Sequence, residues 1–150
     1  MKKTVKAILL LFWMGLIFYL SGQPADLSTE VSDAGVSCTS DLLSHVLYRT
    51  DTETIASFLN ENIAYVRKAA HVFEYFVLGI LASMNSREFL NNRVFSVSLI
   101  FCFIYALSDE LHQLFVPGRS GSLTDALIDL CGAFIGIFLY HQFIQKWRRN

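Results

Sequence analysis

Four long apolar runs, each edged by polar or charged residues, punctuate the chain at the length a bilayer demands. A spanning helix needs about 20 mostly apolar residues to cross a hydrocarbon core of roughly 30 Å. The runs cover about 4–20, 65–84, 94–114 and 123–143. The first, "TVKAILLLFWMGLIFYL", reads as a retained span rather than a cleaved signal peptide, because the apolar run is long and no A-x-A site precedes the polar "SGQPAD". The other three keep ionisable residues near one end, where a strict hydropathy window loses them.

Between the first and second runs, residues 21–64 form a segment long for a small bundle. Its first half, "SGQPADLSTEVSDAGVSCTS", is rich in small polar and turn-forming residues and reads as irregular. Its second half has helical spacing, with Leu42, Leu43, Val46 and Leu47, then Ile55, Phe58, Leu59 and Ile63. Thr50 to Glu53 has capping-box form at the boundary. The pattern predicts two short amphipathic helices, resting on the outer bilayer surface or capping the bundle. The whole chain, 1–150, therefore reads as one domain. It is an all-α membrane protein, a four-transmembrane-helix bundle with a long outer loop bearing short amphipathic helices.

Composition agrees and narrows the function classes. With 53% hydrophobic and 17% charged residues and a mean hydropathy of +0.43, the chain is too apolar for a typical soluble domain. A net charge of −1 gives no general basic surface, which sets nucleic-acid binding aside. Cys38, Cys102 and Cys131 form no CxxC or CxxH pattern and suggest neither a zinc knuckle nor a disulfide framework. If four helices alternate, Lys2, Lys3, Lys6, Arg87, Arg93, Lys146, Arg148 and Arg149 fall on one side. By the positive-inside rule that side is the cytoplasm, so both termini are expected there, in a multi-pass protein of the cell membrane.

At 100° per residue the remaining polar residues sort into stripes. Lys68, His71, Glu74 and Tyr75 share one face of the second helix at its outer end. Asp109, His112 and Gln113 share a face in the last turns of the third, with Glu110 off to one side. Asp125 and Asp129 lie one turn apart on the fourth, and Gly132 and Gly136 continue that stripe inward as a GxxxG. Ionisable groups facing lipid cost a few kcal/mol or more, so these stripes are expected to meet in one polar pocket. Arg119, in the corner "VPGRSGS", is expected at its mouth, with Ser122 capping the fourth helix.

"VRKAAHVFEYFVLGIL" and "SDELHQLFVPGRSGSLTDALIDLCGAFIGI", with the earlier "SGQPADLSTEVS", resemble the VanZ-like family, named for a protein associated with teicoplanin resistance. The resemblance spans most of the chain and carries over Lys68, His71, Glu74, Asp109, Gln113, Arg119, Asp125 and Asp129 as the family's polar positions. Many members have asparagine where this chain has Asp129. The resemblance implies reduced susceptibility to lipid-tailed glycopeptide antibiotics, or a broader envelope role, and sets no molecular activity.

The residues themselves leave several chemistries open. His71, Glu74, Asp109, His112 and Asp125 offer nitrogen and oxygen ligands from facing helices, as metal sites in bundles do. Lys68 and Arg119 nearby disfavour a cation, and neither spacing is a diagnostic zinc pattern, so no metal or cofactor is assigned. The same residues suit acid/base chemistry on a lipid-linked or headgroup substrate, by a membrane-embedded hydrolase or transferase with Lys68 and Arg119 holding an anion. No nucleophile is framed by a triad motif. Recognition without catalysis needs only Lys68, Tyr75, Gln113, Arg119 and Asp129 around a membrane lipid or lipid-linked envelope component. A self-satisfied network, such as Lys68 with Asp125 and Arg119 with Glu110, accounts for the same charges structurally.

Overall fold

The computed structural model describes residues 2–24, 63–87 and 93–149. They form four helices and, among the described residues, no strand: α1 (Lys3–Ser21), α2 (Ile63–Ser86), α3 (Val94–Gln113) and α4 (Leu123–Arg149). The expected amphipathic helices and the capping box at Thr50 to Glu53 lie outside the described residues. α1, α3 and the Leu123–Ile144 portion of α4 are long and apolar enough to cross a membrane. α2 is long enough too, at about 1.5 Å per residue. Arg67, Lys68 and Glu74, however, dilute its apolar character.

Backbone proximity holds α2 to α4, the most extensive pairing in the bundle. A Cβ added at Gly132 would run into the Val72 carbonyl oxygen, and one at Gly136 into that of Phe76. The expected GxxxG thus works as a slot for α2. In lipid, where apolar surface gains nothing by leaving a polar solvent, such close packing of small residues is what draws helices together.

α1 is fastened by side chains donating to main-chain carbonyls. Trp13 Nε1 donates to Glu74 O at 2.9 Å, Asn85 Nδ2 to Lys6 O at 3.1 Å, and Met14 O accepts from the Tyr105 hydroxyl at 2.6 Å. Inside, Ile17, Tyr75, Leu78, Cys102, Ala106, Ala133 and Ile137 form the core. Leu11, Phe12, Ile100, Ile104 and Phe143 point outward. That apolar exterior suits a hydrocarbon surround.

The helices run antiparallel, and their contacts define two ends. At one, Asn85 meets Lys6, Ser98 Oγ donates to Ser86 Oγ at 3.1 Å, and Phe95 lies edge-on to His141. At the other, Gln113 Nε2 donates to Ser21 Oγ at 2.8 Å and Lys68 pairs with Asp125.

Candidate functional site

The second end gathers the polar stripes, and its frame is the corner between α3 and α4. Arg119 N–H closes onto Val116 O at 3.1 Å, and Gly118 takes φ 75°, a left-handed conformation that glycine adopts without steric cost. The Ser122 N–H donates to Glu110 Oε2 at 2.6 Å, and Ser122 Oγ accepts from Thr124 N–H at 3.2 Å. Glu110 and Ser122 together therefore satisfy donors that the first turn of α4 leaves open. Glu110 lies off the Asp109 stripe, as its helical angle predicts, but it does not face water. Only 7% exposed, it reaches across the corner to hold the next helix.

Arg119 turns to α1 instead of to Glu110. Its Nε donates to Gln23 O at 2.8 Å and its Nη2 to Leu20 O at 3.4 Å. Carbonyls at a helix C-terminus lack intrahelical donors and carry partial negative charge, which suits a guanidinium. The expected Arg119–Glu110 pair is therefore replaced by contact with the end of α1. Burial lowers the pKa of Arg119. Arginine starts so high that it stays a cation. The other expected pair forms, with Lys68 Nζ 2.8 Å from Asp125 Oδ1 at a half-exposed position.

These elements enclose a cavity of about 190 Å³. Arg67, Lys68 and His71 line it from α2, Glu110 and Gln113 from α3, Arg119 and Ser120 from the corner, and Asp125 and Asp129 from α4. Asp109 is 2% exposed and does not line it. Yet one ligand atom each of His71, Asp109 and Asp129 lies within 4.8 Å of the others. Three helices thus converge on one point.

Several polar atoms near that point lack hydrogen bonds. Asp109 Oδ2 accepts from Gln113 Nε2 at 3.4 Å, whereas its Oδ1 is buried and without a partner. His71 Nδ1 lies 3.4 Å from Glu74 Oε2. The pair is too poorly aligned to make a hydrogen bond, so both atoms are left unsatisfied. The hydroxyl of fully buried Tyr75 has no partner either, and its ring leans on Tyr105 at 6.2 Å. An unsatisfied buried polar group costs about 1–3 kcal/mol, so a cluster of them needs a reason.

His112 stands apart. It stacks on Phe18 with ring centroids 4.0 Å apart and packs beside Gly22, toward α1 and outside the cavity lining. Lys68, His71, Gln113, Arg119, Asp125 and Asp129 line the cavity as a group. Glu74 flanks His71 from behind the lining. Arg67, absent from the predicted stripe, lines it too. Its i, i+4 relation to His71 is the signal that marks it. Nothing in the sequence pattern marks Ser21, whose hydroxyl accepts from Gln113 and lies against the Asp109 carboxyl.

Apolar helices long enough to span, with ionisable side chains gathered around an internal cavity, define an integral membrane protein with a polar site in the bundle. The VanZ/LLP1 family model matches residues 6–145, nearly the whole chain, and the protein belongs to that family. No curated protein and no solved structure gives a significant match.

Proposed function

We propose that this protein is a cell-envelope member of the family that lowers susceptibility to teicoplanin-type antibiotics by binding an anionic headgroup in its polar cavity. The carrying observation is the cavity lined by Arg67, Lys68 and Arg119 at one end of a membrane bundle. Drug-sized ligands fill pockets of about 300–1,000 Å³. A cavity of about 190 Å³ suits a headgroup and excludes an entire glycopeptide. Protection then acts through an envelope component, not by sequestering the drug.

In this reading α2 crosses the membrane as a fourth span, because its ionisable residues are turned to its neighbours. Lys2, Lys3 and Lys6, Arg87, Arg93 and Lys146 belong to the opposite end from the cavity, which makes that end cytoplasmic and opens the cavity to the outer leaflet. Single cysteines placed at Ser120 and Asn85 in a cysteine-free background test this. An impermeant thiol reagent applied to intact cells should label position 120 alone, and labelling of 85 alone reverses the orientation.

The function itself is tested by expressing the protein in a sensitive Gram-positive host and measuring teicoplanin and vancomycin susceptibility, with membrane levels matched. Wild type is expected to raise the teicoplanin inhibitory concentration at least fourfold, and Arg119→Gln to lose most of that gain. Protection that survives Arg119→Gln and Lys68→Gln together refutes a cavity-bound anion. A wild type without effect refutes the antibiotic role.

A further inference from the structure

We propose that His71, Asp109 and Asp129 bind a divalent transition-metal ion at the floor of the cavity. The three residues come from three helices and offer one nitrogen and two carboxylate oxygens, mutually within 4.8 Å. Metal–ligand bonds of about 2.0–2.2 Å place tetrahedral ligand atoms roughly 3.4 Å apart, so side-chain rotations that bring the three atoms up to about an ångström closer complete the site. Asp109 and Asp129 are each 2% exposed.

The second observation is what surrounds them. Asp109 Oδ1 is buried and has no hydrogen-bond partner. Two of the three nearby cations are engaged elsewhere, Lys68 with Asp125 and Arg119 with the carbonyls of Leu20 and Gln23, while Arg67 lines the cavity beside His71. Two buried carboxylates this close need a shared proton or a cation between them. Donor chemistry favours the cation. An imidazole beside two carboxylates suits Zn²⁺ or Mn²⁺ better than Mg²⁺ or Ca²⁺, which prefer all-oxygen shells.

Glu74 then has a task. Its Oε2 stands 3.4 Å from His71 Nδ1. Unbonded in this structure, the pair needs only a small reorientation of the ring for the carboxylate to accept from Nδ1 and leave the other nitrogen for the ion. Glu74 is thus a positioning residue. His71 and Asp129 also line the cavity, so the ion's open side faces Arg67, Lys68 and Arg119. The basic rim repels the bare ion, and an anionic oxygen entering the cavity offsets that repulsion as it completes the coordination. The metal site does not require the antibiotic role: an ion-free protein that still protects cells would overturn the site alone.

The test uses the full chain, purified without a histidine tag, stripped with chelator and dialysed against Zn²⁺ or Mn²⁺. Elemental analysis should find about one ion per chain. Asp129→Asn and His71→Gln should each weaken binding at least tenfold, Glu74→Gln about 10–100-fold with the ion still bound at saturation, and His141→Ala not at all. Electron spin-echo spectra of Mn²⁺-loaded wild type supply a readout independent of any variant. They should show coupling to a single imidazole nitrogen. Absence of a bound ion, binding that survives Asp129→Asn and His71→Gln, or spectra without nitrogen coupling would each overturn the site and leave a shared proton between the carboxylates.

Discussion

The two ends of the bundle handle buried polar groups in opposite ways. At the Lys6 end, the buried polar side chains are neutral and mostly matched: Asn85 donates to two main-chain carbonyls and Ser98 meets Ser86, while Ser83 Oγ is the one buried hydroxyl there, among the described residues, without a partner. At the Arg119 end, acids from two helices line one cavity with Glu74 of a third just behind it, and His71 Nδ1, Glu74 Oε2 and Asp109 Oδ1 go unpaired. Matched bonds between short side chains are how membrane helices are fastened. Unmatched charge costs stability and is retained where it serves a ligand. The first end therefore reads as fastening and the second as the working site.

The sharpest way to break that comparison is to remove the frame both ends share. Gly132→Val should cost about 3 kcal/mol or more, since the added atoms meet the Val72 carbonyl, a rigid main-chain group that overpacking cannot displace cheaply. Thermal unfolding in detergent measures it. A melting temperature equal to wild type would mean that α2 and α4 are not locked at this slot.

A smaller effect tests the ends against each other. Ser98→Ala should cost about 1 kcal/mol, the usual net worth of one hydrogen bond, and leave teicoplanin susceptibility unchanged. In metal-free protein, Asp109→Asn should leave the melting temperature unchanged or raise it, because it neutralises a buried, incompletely paired charge. It should nevertheless abolish protection. If Asp109→Asn destabilises as Ser98→Ala does and leaves protection intact, the acid is a fastening and the distinction between the ends fails.

Much of this was legible in one dimension. Apolar run length placed the third helix at 94–114 against an observed Val94–Gln113, and the fourth at 123–143 within Leu123–Arg149. Residue depth along each run placed every acid of the cavity at one end. Helical angle selected Lys68, His71, Gln113, Asp125 and Asp129 and the Pro-Gly corner selected Arg119, all of which line it, whereas Glu74, Tyr75, Asp109 and His112, chosen by the same angle, do not.

The pairing within that end was not legible, as His112, Glu110 and Asp129 show. His112 shares the Asp109 stripe by angle, yet it stacks on Phe18 because α1 covers that side of α3. Glu110 lies off the polar stripe by angle, yet the chain turns back over it and its carboxylate accepts from Ser122 N–H. Asp129 lies on a different helix from His71 and Asp109, and no spacing in sequence brings the three together.

The sequence by itself determined the helical segments, their apolar surfaces and the set of polar residues held at one end, because these follow from run length and angular period along a single axis. Only the tertiary structure decided which of those residues meet. That depends on how each helix is rotated against its neighbours, and the rotation is set by contacts between chain segments far apart in sequence, here the seating of Gly132 and Gly136 on the main chain of α2.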